Sequence, residues 1–177
     1  MIPPQDINDY KIYYDIGLRC YFIEYKYKNY VIFIYKWKMD VNKLLNALDN
    51  QKNEGIMNYT TKKIKQLNFN ILKELHLSQK ETNNYLDKLR EYVYVDELKD
   101  LREGTFIRWI CLNNPEYLEL SRGAIFCETK ITDMGVQLVC KNHYHRHFQF
   151  KMDECIVFRK LIHQELVLID ALDMLEK

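Results

Sequence analysis

Between Gly104 and Lys160 the chain carries five short apolar runs, 105–111, 123–131, 135–140, 145–152 and 155–160, separated by short breaks. Strands this closely spaced leave unpaired sheet edges unless the sheet curls on itself. The segment is therefore expected to form a small five-stranded β-barrel, SH3-like or OB-like in strand order.

The clearest strand is 145–152, where Phe148, Phe150 and Met152 fall on one face and His145, His147, Gln149 and Lys151 on the other. In 123–131, Ile125, Cys127 and Ile131 alternate with Ala124, Phe126, Glu128 and Lys130. The turn chemistry of Thr132-Asp133-Met134-Gly135 then makes a hairpin with 135–140. Further turns at 141–144 and 152–154 complete a meander. After Lys160 the period changes: Ile162, Leu166, Ile169 and Leu172 repeat at helical spacing, which predicts a C-terminal helix closing one barrel end.

Upstream, 10–16, 19–28 and 30–38 are rich in Tyr, Phe, Ile and Val and read as an N-terminal antiparallel β-meander. Asp40 is expected to be a helix N-cap before Val41, Leu44, Leu45 and Leu48. A second helix capped by Thr61 shows the stripe Ile64, Leu67, Ile71, Leu72 and Leu75. A third opens with the capping box Ser78-Gln79-Lys80-Glu81 and continues through Tyr85, Leu86, Leu89, Tyr92 and Val93. The fold class is thus α+β, with meander and helices over 1–100 and barrel plus closing helix over 101–177. With three prolines and no low-complexity stretch, no floppy linker separates the two blocks, which are expected to pack together.

A net charge of +1 argues against duplex nucleic acid bound along the whole surface. The five cysteines, at 20, 111, 127, 140 and 155, include no CxxC pair and lie in or at the ends of apolar runs, which points to buried reduced thiols. The first residues lack the basic start and apolar core of a secretory leader, and no run reaches the ~20 apolar residues of a membrane span. A cytoplasmic, non-membrane protein is expected.

Three constellations bear on chemistry. Cys140, His143, His145 and His147 form the densest group of potential ligands, but side chains two apart on a strand are about 7 Å apart. His145 and His147 fall on the wet face, so no metal or cofactor is expected. A Cys140–His143 nucleophile pair across a turn is the nearest approach to catalytic chemistry. With no GxSxG, phosphate loop or HExxH, the chain reads as a non-enzyme. The weave of Tyr25-Lys26-Tyr27-Lys28 and Tyr35-Lys36-Trp37-Lys38 suggests single-stranded nucleic acid, held by Lys26, Lys28, Lys36 and Lys38 beside stacking aromatics. Alternation, however, puts Tyr and Lys on opposite faces. Arg108 and Trp109, in the middle of an apolar run, are residue types that dominate interface hot spots. Arg108 can alternatively pair with Asp100, Glu103 or Glu128.

The segments Leu101-Arg102-Glu103-Gly104-Thr105-Phe106-Ile107-Arg108-Trp109-Ile110, Leu120-Ser121-Arg122-Gly123-Ala124 and Ile156-Val157-Phe158-Arg159-Lys160-Leu161 together resemble a pattern in uncharacterised proteins of large eukaryotic DNA viruses. The match covers about 101–161 and has one glycine, Gly123, where a pair is often seen. The resemblance implies a virus-encoded barrel, a component of the virion or of the replication factory in the host cytoplasm, and transfers no catalytic residue. These readings converge on a non-catalytic structural or adaptor module that binds a protein partner or its own copies. Single-stranded nucleic-acid binding is the alternative.

Overall fold

A computed structural model describes the backbone of residues 5–7, 10–15, 20–25, 30–35, 41–133 and 135–176, and the side chains of 42–133 and 135–176. It divides into two compact units, residues 1–60 with 163–177, and residues 61–162.

The first unit holds β1 (Gln5–Ile7), β2 (Tyr10–Asp15), β3 (Cys20–Tyr25) and β4 (Tyr30–Tyr35), an antiparallel sheet in sequence order with Ile23 in register with both Ile12 and Ile32. It gains a strand, β1, that the sequence pattern did not indicate. The lysines of the expected nucleic-acid surface, Lys26, Lys28, Lys36 and Lys38, and Asp40, the expected cap, lie outside the described residues. Helix α1 (Val41–Leu48) is followed by a 3-10 helix, Gln51–Asn58, capped by Asn50, whose side chain accepts from the Lys52 N–H. Buried Asn53 donates to the Ala47 carbonyl at 2.8 Å and to Gln164 Oε1 at 3.3 Å. Asn50 donates to the same Gln164 oxygen at 2.8 Å, so amides knit this unit's helices together.

In the second unit α2 (Thr61–Glu74) and α3 (Gln79–Lys88) precede β5 (Tyr92–Tyr94), β6 (Phe106–Cys111), β7 (Ala124–Thr132), β8 (Gly135–Lys141), β9 (His147–Lys151) and β10 (Cys155–Lys160). The chain ends in α4 (His163–Leu175), which belongs to the first unit and packs on α1 and the 3-10 helix. Ser78 and Glu81 cap α3 reciprocally, the Glu81 N–H donating to Ser78 Oγ and the Ser78 N–H to Glu81 Oε2.

The barrel expected from the sequence does not form. Strands β5 to β10 make one open six-stranded antiparallel sheet in the order β5-β10-β6-β7-β8-β9. The additional strand, β5, comes from Tyr92 and Val93, which helical spacing had assigned to the third helix. The helix instead ends at Lys88, and the Tyr92-Val93-Tyr94 run, with its β-forming residues, pairs with β10. Closure would require β5 to bond β9, but the outer edge of β5 is already occupied. Asn68 of α2, 2% exposed, donates its amide to the Tyr92 carbonyl at 2.8 Å and accepts from the Tyr94 N–H at 3.1 Å. The side chain supplies what a neighbouring strand would, so the edge is satisfied without closing.

Two backbone irregularities set the faces of the sheet. Alternation in β7 buries Ala124 and Phe126 and exposes Ile125, and a bulge at Cys127 then shifts the β7–β8 register between Phe126 and Glu128, so that Ile131, in register with Val136, falls on the Phe126 face. Gly123, at φ +92°, leads into β7 where a Cβ would collide with the Phe106 ring and the Ile107 carbonyl, so only glycine fits. One face of the sheet packs Ile110, Phe158 and Tyr92 against Leu72, Tyr85 and Leu89 of the helical segment. The other gathers Ile107, Ala124, Phe126, Leu138, Cys140 and Val157.

Candidate interaction face

Adjacent strand residues point to opposite sides, and β6 separates Arg108 from Trp109 accordingly. Arg108 lies on the helix-covered face, opposite Phe158, with its guanidinium 5.5 Å from the centre of the Tyr92 ring. Its Nε is buried without a hydrogen-bond partner. The ring face holds the charge where a carboxylate was expected. Glu128, one of the carboxylates expected to pair with Arg108, pairs instead with Lys130 at 3.2 Å.

Trp109 lies on the other face with Ile107, and its ring stacks on Phe150 at 4.6 Å and 21° and meets Phe148 at 5.7 Å. Strands β6 and β9 are three places apart in the sheet, which in a flat sheet is roughly 14 Å. For side chains to stack across that span, the open sheet must bend toward this face. One end of the hollow is covered by the chain between β5 and β6. There Val95 and Leu101 join the core, and Arg159, 3% exposed, donates from Nε to the Asp100 carbonyl at 2.6 Å. The other end is open. Val136 and Met152 are half-buried, and Ile131, in register with Val136, is 80% exposed. Trp109, Phe148 and Phe150, all half-buried, pack on the core of this face, and Ile131 carries the same face into solvent.

The Cys140/His143/His145/His147 group does not converge. Asn142 Oδ1 accepts from the Tyr144 and Arg146 N–H groups at 2.9 and 3.1 Å and closes a turn in which His145 takes φ 60°. The strand thus starts at His147, two residues later than expected. His143, His145 and His147 are exposed, while Cys140 is sealed in the core, its thiol pushed up to about 12 by burial. A thiol so held is protonated at neutral pH and is not poised as a nucleophile. Among the described residues, no three His, Cys, Asp or Glu side chains come together as a metal site, and no helix is long and apolar enough to cross a membrane.

Sequence reasoning singled out Trp109 but missed Phe148 and Phe150 as its companions. The alternation of Phe148, Phe150 and Met152 marked an inward face, yet only the bend brings that face to Trp109. Comparison with protein-family models, curated proteins and solved structures finds no match to this chain.

Proposed function

We propose that this chain is a non-catalytic protein-interaction module that associates with a second copy of itself through the Trp109 face of the six-stranded sheet. The observation carrying this reading is the apolar face on which Trp109 and Phe150 stack only half-buried and on which Ile131, in register with half-buried Val136, reaches solvent. Aromatic side chains are enriched in interface cores, where a few of them hold most of the binding energy. A net charge of +1 leaves little repulsion between copies. On this reading Trp109 is the anchor, and Arg108, on the opposite face, serves packing within the unit. The resemblance of residues 101–161 to proteins of large DNA viruses supports a virion or replication factory as the setting.

Ile131→Lys tests the reading without disturbing the core, because the side chain is 80% exposed. Analytical ultracentrifugation is expected to show self-association weakened at least tenfold, as a charge placed in a desolvated contact costs more than about 1.4 kcal/mol. Unchanged association would remove this face from the interface.

A further inference from the structure

Cys111 ends β6 and Cys155 begins β10, and the antiparallel register sets them directly opposite each other. The Leu112 N–H donates to the Glu154 carbonyl at 2.8 Å, so the hydrogen-bonded pair is the next one out. Cys111 and Cys155 therefore form a non-hydrogen-bonded pair, the kind with the shorter Cα separation, about 4.5 Å, and the closer side chains. Their Sγ atoms are 3.2 Å apart. A disulfide needs Cα atoms about 4.4–6.8 Å apart and sulfurs at about 2.05 Å, so bond formation asks for side-chain rotation and no strand movement. The surrounding corner is held as well: Asn113 donates to Glu154 Oε2 at 2.9 Å, and Lys151 pairs with Glu154 Oε1 at 3.0 Å.

We propose that Cys111 and Cys155 are a redox-active pair that closes to a cross-strand disulfide. Of the other described thiols, Cys127 turns its sulfur toward the Ile125 carbonyl at 3.6 Å, and Cys140 is buried in the core. The two members of the pair differ in reactivity. Cys111 is exposed, whereas Cys155 is half-buried, and burial together with the neighbouring Cys111 raises its thiol pKa. Cys111 therefore reacts first.

With a hydroperoxide as oxidant, the Cys111 thiolate attacks the peroxide oxygen and the O–O bond breaks. The leaving oxygen departs as water or alcohol, and Cys111 becomes a sulfenic acid. The Cys155 sulfur then attacks Cys111 Sγ, the S–O bond breaks, and the departing hydroxide takes the Cys155 proton as water. The two sulfurs together lose two electrons, and the hydroperoxide gains them. A dithiol reverses the reaction by exchange. Cys111 lies two residues from Trp109 on the same side of β6, and Cys155 and Trp109 pack against the same core. Closure thus ties β6 to β10 beside the Trp109 face, and the inference stands whether or not that face binds a second copy.

The test is peroxide treatment of the whole folded protein, followed by alkylation and tryptic digestion without reductant. The alkylatable thiols are expected to fall from five to three, with peptide 109–122 linked to peptide 152–159 and the link lost on adding a dithiol. In Cys155→Ser the sulfenic acid on Cys111 is expected to persist and to be trapped by a dimedone-type reagent. Recovering both wild-type peptides singly alkylated after the same treatment, or linked to other cysteine peptides instead, would overturn the proposal.

Discussion

Asn68 gives the most searching test of why the sheet stays open. Its amide makes two buried hydrogen bonds, at 2.8 Å to the Tyr92 carbonyl and 3.1 Å to the Tyr94 N–H, and these occupy the outer edge of a strand three residues long. In Asn68→Ala both backbone groups lose their partner. Each orphaned group costs about 1–3 kcal/mol when buried, and water entering the space left by the shorter side chain recovers part of that. The expected loss is about 2–4 kcal/mol, or a shift of about 1–2 M in the urea midpoint at unchanged slope. Asn68→Leu separates the causes, because it leaves the same orphans while filling the space, and it is expected to lose at least as much. Asn68→Asp adds a signature in pH. The new carboxylate accepts from the Tyr94 N–H but faces the Tyr92 carbonyl with no proton to offer, so burial raises its folded-state pKa above the unfolded one. The contribution of that group is then fully present below the ordinary carboxylate value and is lost as pH rises through the raised one. If Asn68→Ala and Asn68→Leu each change stability by less than about 0.5 kcal/mol, the range of ordinary surface substitutions, the edge of β5 is satisfied some other way and the reasoning fails.

Two other substitutions probe the backbone and the helix cap. Gly123→Ala is expected to cost about 2–4 kcal/mol in thermal or urea denaturation, since φ +92° disfavours alanine and its Cβ meets the Phe106 ring and the Ile107 carbonyl. Gly55→Ala, with open space around the position, serves as the control and is expected to change stability little. Glu81 has its carboxyl pKa lowered by hydrogen bonds from the Ser78 hydroxyl and N–H. Its contribution is full above the ordinary carboxylate value and fades as pH falls through the lowered one, so Glu81→Gln is expected to flatten the acid limb of the stability curve in that window. An unchanged acid limb would mean the cap adds nothing.

What was legible in the sequence is what rests on local pattern. The run around Phe148 and Phe150 announced a strand because alternation is a property of consecutive residues, and Ser78 with Glu81 announced a helix start because both partners sit within one turn. What was illegible depends on distant partners. Tyr92 and Val93 fit the helical stripe begun at Tyr85, and nothing nearby shows that Asn68, 24 residues earlier, would supply an edge for them as a strand. The bulge at Cys127 puts Ile125 and Ile131 on opposite faces, although simple alternation counts them together. A barrel was inferred because closing a sheet removes its edges, but a single buried amide satisfies one edge equally well, and a sequence read without contacts cannot weigh the two. Arg108 and Trp109 attracted attention as a pair, though a strand necessarily turns them apart. The pairing of Cys111 with Cys155 follows from the β6–β10 register and from no spacing rule.

Light scattering on the eluting peak in size-exclusion chromatography, run at low and high salt with and without a mixed-sequence oligonucleotide, tests the interaction reading most directly. Association through an apolar face gives an oligomer that persists at high salt and ignores the oligonucleotide, whereas phosphate contacts weaken steeply as salt is added. The account predicts the salt-resistant oligomer. A monomer that co-elutes with the oligonucleotide only at low salt would contradict it and turn attention to Lys26, Lys28, Lys36 and Lys38.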